Sequence, residues 1–137
     1  MRKIITFVIF AFTLAGCASK PPTTITPVPA GRIFIIPPDD VSGSARIIVT
    51  SDLNVIPTTI GHMLRVDDLR VADIKTGERY IGFVSAGDHW LKLDRTHSIQ
   101  NFASYNSITH FKAGKDYCYR IQWMDEVIKL ERINCGI

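Results

Sequence analysis

Neither sign of charge dominates this 137-residue sequence, in which 16 Lys and Arg stand against 13 Asp and Glu. That balance excludes the concentrated positive field that nucleic-acid binding requires. Histidine is sparse, and His62, His89, His97 and His110 show no His-x-x-x-His or Glu-x-x-His spacing for a helical metal site. His89 reads as a partly exposed residue on a strand face. The Asp-x-Asp-x-Asp-Gly calcium loop is missing, so Asp39-Asp40 and Asp67-Asp68 read as solvated turn residues. Ser42-Gly43-Ser44 lacks the Gly-x-Ser-x-Gly pattern of a nucleophile elbow, and no glycine-rich phosphate loop precedes a helix. There is no Cys-x-x-Cys redox pair. No segment sustains a 3.6-residue apolar period, which argues against amphipathic helices as the building blocks. The sequence therefore predicts a non-enzyme, with no catalytic residue, metal or cofactor.

What is present begins at the N-terminus. Met1-Arg2-Lys3 is basic, residues 4–14 form an apolar run broken only by Thr6 and Thr13, and small Ala15 and Gly16 follow. This is the three-part pattern of an export signal. The run is too short for a membrane span, which takes roughly 20 apolar residues. Pro21-Pro22 prevents its extension as a helix. The tetrapeptide Leu14-Ala15-Gly16-Cys17 resembles the bacterial lipobox. The resemblance implies a signal peptide over 1–16, cleavage before Cys17, and acyl chains of the palmitate class on that residue. Several chains make such an anchor stable, each buried methylene adding about 0.8 kcal/mol. The alternative is an ordinary signal peptide whose Cys17 pairs elsewhere. Without its first 16 residues the chain has 121 (137 − 16), and loss of Arg2 and Lys3 leaves 14 basic against 13 acidic side chains. In Gram-negative lipoproteins an Asp after the lipidated Cys favours the inner membrane. Ala18 at that position implies the outer membrane, with the domain facing the periplasm.

Residues 17–31 read as the lipidated Cys followed by a Pro/Thr-rich tether, with Pro21, Pro22, Pro27 and Pro29 and the single charge of Lys20. At about 3.1 Å per residue such a semi-rigid spacer could lift the domain about 40 Å from the membrane. A first strand here is disfavoured, because proline cannot donate to a ladder.

Residues 32–137 predict an all-β domain, a small antiparallel β-sandwich of about seven or eight strands. Short runs over 32–36, 45–50, 62–66, 69–74, 79–85, 89–93 and 104–111 are separated by turn residues, with Asp67-Asp68 as a hairpin tip. The last two strands can be registered. If Asp125-Glu126 form the centre of a hairpin, Trp123 opposes Ile128, Ile121 opposes Leu130 and Tyr119 opposes Arg132 on a largely apolar face. Gln122 then faces Lys129, and Arg120 faces Glu131, on a polar one. A one-residue slip would destroy this agreement. With Cys17 assigned to lipid, Cys118 and Cys135 remain as a pair. In this register they are diagonal, slightly too far apart for a relaxed disulfide unless the chain bends at Asn134. An oxidising compartment favours the bond; a metal pair lacks further ligands.

Three segments together, Gly31-Arg-Ile-Phe-Ile35, Gly87-Asp-His-Trp-Leu-Lys-Leu93 and Ala113-Gly-Lys-Asp-Tyr-Cys-Tyr119, resemble PEGA-like β-domains of small bacterial lipoproteins of unknown function. The similarity spans roughly residues 31 to 125. It departs at Ala86, where Pro or Ser would more usually precede Gly87, and in the longer insert over 51–61. These motifs are turns and core positions. They imply a small β-sandwich and no catalytic residue. Trp90, Trp123, Phe34, Tyr80, Phe83 and Tyr119 are expected in the core, or, if grouped on one face, as an interaction patch.

The function expected is a structural or protein-interaction module of the cell envelope, held to the membrane through Cys17 and meeting an envelope protein. The alternative is a periplasmic ligand-binding module for a glycan, peptide or small molecule, using loops 51–61 and 94–104. A hydrolase ranks last, because it needs a nucleophile–base pair within hydrogen-bond reach.

Overall fold

The computed structural model describes residues 24–36, 38–53, 61–96, 105–124 and 127–136. The signal segment over 1–16, Cys17, His97, the Asp125-Glu126 turn and most of loops 51–61 and 94–104 lie outside them.

The described chain is an all-β sandwich of nine strands: β1 Thr26–Pro27, β2 Ser44–Ser51, β3 His62–Val66, β4 Leu69–Ile74, β5 Glu78–Ser85, β6 Gly87–Arg95, β7 Tyr105–Phe111, β8 Asp116–Met124 and β9 Val127–Ile133. One sheet runs β1-β5-β2-β8-β9 and the other β4-β3-β6-β7. Most pairings are antiparallel, but β2 lies parallel to β8 and β1 parallel to β5, so the first sheet is mixed. Alternation decides what lies inside. Ala45, Ile47 and Val49 on β2 and Leu91 and Leu93 on β6 are inaccessible, and they meet Leu64, Phe111, Ile121 and Leu130 between the sheets. Each of these side chains other than that of Ala45 contributes about 1.5–3 kcal/mol by leaving water. Gly82 on β5 makes room for this packing. The Tyr80 phenol covers it, and a Cβ there would overlap the ring.

The C-terminal hairpin has the register expected from its residue pattern, from Met124 opposite Val127 to Cys118 opposite Ile133. Cys118 and Cys135 form a disulfide with Cα atoms 5.2 Å apart. β9 ends at Ile133, and the Asn134 side chain accepts the Gly136 N–H at 3.4 Å, so the chain leaves the ladder where the pairing requires a bend.

Three features differ from expectation. The Pro/Thr-rich stretch joins the fold from Thr26 onward rather than remaining a tether. Thr26 N–H donates to Gly77 O at 2.9 Å and Val28 N–H to Arg79 O at 3.0 Å. Pro27 falls between these donors at the sheet edge, where its missing N–H costs no ladder bond. Val28 beside it is buried. The apolar run 32–36 is not a strand. Arg32 closes a 3-10 turn over Ala30–Arg32, and only an Ile33–Ala72 bridge and a Phe34 N–H to Val71 O bond of 2.9 Å follow. The cause is a long-range contact: the Arg32 guanidinium grips Glu78 with both nitrogens and also donates to Asp73 O at 3.0 Å. Finally, the turn expected over 86–88 narrows to Ala86. β6 begins at Gly87 because the chain steps there from one sheet to the other.

Candidate functional site

A connected polar group is built around the β3–β4 tip. Asp67 and Asp68 have φ of 51° and 63°. Two consecutive left-handed residues make the two-residue turn that suits a hairpin's twist, a position normally filled by Asn-Gly. Aspartate tolerates this conformation at a steric cost. Here the cost is offset by capture of the Asp67 carboxylate. Its Oδ1 accepts the Trp90 N–H at 2.9 Å, and its Oδ2 accepts from His89 Nδ1 at 2.5 Å. The Asp67 N–H donates in turn to Trp90 O at 2.9 Å. The His89 hydrogen bond, then the Trp90 N–H, then the charge of the ring hold the Asp67 carboxyl below its ordinary 3.8.

The second ring nitrogen reaches the other sheet. His89 Nε2 lies 2.9 Å from Ser85 O and 3.2 Å from Ser85 Oγ, at the end of β5. A carboxylate and a carbonyl only accept, so an N–H on either ring nitrogen has an acceptor within reach. Below this brace a cavity of about 180 Å3 is lined by Val66, Leu69, Phe83 and Val84 together with Asp67, Ser85 and His89.

An Asp–His–Ser relay raises the question of hydrolysis. Two features of the geometry differ from such a relay. Nε2 is directed at the serine carbonyl, which lies nearer than its hydroxyl. The Ala86 N–H that follows the serine donates to Gly43 O at 3.1 Å, so it is not free to stabilise an oxyanion. Chemically, the arrangement locks the β3–β4 tip, the start of β6 and the end of β5 to one another.

Sequence reasoning missed this group because its members are 22 and 4 residues apart and match no linear motif. The available clue was an Asp-Asp pair at a two-residue hairpin tip, where Asn-Gly is the usual choice. The other histidines separate. His62 is fully buried, its Nδ1 3.3 Å from Ile74 O, and burial lowers its pKa below the ordinary 6.5 against the pull of that carbonyl. His110 Nδ1 pairs with Asp88 at 2.6 Å on an exposed face.

The aromatic residues divide as well. Tyr80 and Tyr119 are buried, and Trp123 packs partly against the core with Arg95 4.2 Å above its ring. Contrary to the expectation of a core position, Trp90 and Phe34 remain 52% and 43% exposed. Trp90 stands at an outward position of β6, opposite Ile108, because the inward positions belong to His89 and Leu91. Phe34 lies under the Arg70 guanidinium, 4.3 Å from the ring centre.

The outer face of the first sheet carries an apolar row in direct register. Ile81 faces Ile48, Ile48 faces Cys118, and Cys118 faces Ile133. Charged rows flank it. Arg46 pairs with Asp116 on one side; on the other, Arg79 donates to Thr50 at 3.1 Å and Arg120 reaches Asp52 at 3.2 Å.

Compared with protein-family models the sequence matches none, and no curated protein shows significant similarity to it.

Proposed function

We propose that this chain is a bacterial lipoprotein, anchored through acylated Cys17 to the outer membrane and facing the periplasm, whose PEGA-like sandwich is a non-enzymatic protein-interaction module. The observation that carries the interaction reading is the Ile81–Ile48–Cys118–Ile133 row, in which Ile81 is 54% exposed, Ile48 and Ile133 are half-buried and Cys118 is buried. An apolar centre rimmed by charges is the anatomy of a protein interface. The lipobox supports the anchor, and the Cys118–Cys135 bond suits an oxidising compartment. The occupied groups around His89 favour a binding role over hydrolysis.

The test is a photo-cross-linker at position 81 in cells. The expected result is one recurrent envelope protein, lost with Ile48→Asp while the protein stays folded. Repeated failure to trap a partner at that row would end the interaction reading.

A second reading, a ligand-binding module, draws on the opposite face. There a depression of about 240 Å3 lies around Trp90.

A further inference from the structure

Asp68, Trp90, Lys92 and Asn106 line that depression on the outer face of the second sheet, and together they give the ligand-binding reading a site and a chemistry. Trp90 and Lys92 alternate outward on β6, and Asn106 faces Lys92 from β7. Asp68 comes from the turn, whose left-handed backbone is clamped to Trp90 by both the N–H and the carboxylate of Asp67. The local cost of two left-handed aspartates thus sets a carboxylate beside an exposed indole.

The polar groups there are free to bind. Among the described residues neither the Asp68 carboxylate nor the Asn106 amide has a partner, and Lys92 has only a 3.8 Å pairing with Asp94. A donor-only ammonium, an acceptor-only carboxylate and an amide that does both surround one aromatic surface.

We infer that this depression is a saccharide-binding site, Trp90 stacking under a pyranose ring while Asp68, Lys92 and Asn106 bond its hydroxyls. The site rests on the ligand-binding reading and gives it a substrate class. A pyranose presents C–H groups on one face and hydroxyls around its edge, which matches an indole with mixed donors and acceptors around it. An apolar peptide anchor would be better served by an enclosed pocket depleted of charge. An anionic lipid surface would need excess positive charge, whereas beside Trp90 the cations Lys92 and Arg65 are met by the carboxylates of Asp68 and Asp94.

The test uses the full chain in detergent, carrying Trp123→Phe so that Trp90 alone reports. It is titrated with the tetramer of β-1,4-linked N-acetylglucosamine and, separately, with phosphatidylglycerol vesicles. The expected result is a saturable change in indole emission with saccharide at about millimolar or lower concentration. Binding followed by calorimetry should weaken about tenfold or more in Trp90→Ala and several-fold in Asn106→Ala, with melting temperatures little changed. Absence of a saturable saccharide response, or one equal in Trp90→Ala, overturns the proposal. A Trp90-dependent response to vesicles alone overturns the saccharide assignment but keeps a ligand at this face. No Trp90-dependent response to either probe removes the ligand-binding reading too.

Discussion

The two outward faces of the sandwich obey the same two-residue alternation and differ in how their charges are arranged. On the first sheet Arg46 opposes Asp116 and Arg120 opposes Glu131, with an apolar row and a disulfide between them. On the second sheet Arg70 opposes Arg65, and Arg65 opposes Lys92, so three cations stand in one cross-strand row. Like charges in direct opposition are destabilising. Asp94 accepts Arg65 at 3.0 Å, the Asp68 carbonyl accepts it again at 3.0 Å, and Phe34 covers Arg70, which reduces the cost without removing it. The same sheet carries the two left-handed aspartates. The first face suits stability and a flat apolar contact. The second keeps local conflicts, and conflicts of this kind gather where a protein meets a ligand.

The largest effect should come from what both faces share. Phe111 is fully buried and meets Tyr117 edge-on at 4.7 Å between centroids. Phe111→Ala should cost about 3–5 kcal/mol in denaturant unfolding. Next comes the first sheet alone. Replacing both Cys118 and Cys135 by Ser opens a link of 17 residues and should cost about 3 kcal/mol, seen as a lower midpoint with the fold retained.

Acid should then act on the second sheet first. His62 on the second sheet is buried with its pKa lowered, so the unfolded chain binds a proton there before the folded chain does. Stability from His62 is complete above about 6.5 and declines as pH falls below that value toward the depressed folded value. Asp67 behaves alike in a lower window, its contribution being lost as pH falls below 3.8 toward its folded value. Unfolding midpoints measured from neutral pH downward should show the first decline, and His62→Leu should flatten it.

The smallest effect gives the sharpest contrast. Lys92→Thr removes one like-charge opposition and should leave stability unchanged or raised by up to about 0.5 kcal/mol. Arg120→Thr on the first sheet, which breaks the 3.2 Å pair with Asp52, should lower it by up to about 1 kcal/mol.

Much of this architecture was readable from sequence, because β-periodicity is local. The strands at His62–Val66 and Leu69–Ile74 and the whole β8–β9 register followed from alternation and turn chemistry. What escaped depends on distant partners. Thr26–Pro27 reads as spacer by composition and becomes a strand because β5 offers an open edge that tolerates proline. Arg32 begins an apolar run but is taken by Glu78, which lies 46 residues away. Trp90 looks like core by residue type, and parity alone puts it outside once Leu91 and Leu93 claim the interior. The His89 brace needed three segments that no spacing rule connects.

Both faces meet the periplasm from a lipid anchor in the proposed function, and that placement has a direct test. Intact-mass analysis of the chain extracted from the membrane fraction should give a polypeptide beginning at Cys17, heavier by a diacylglyceryl group and an amide-linked acyl chain. A chain that begins elsewhere, or an unmodified Cys17, would contradict it.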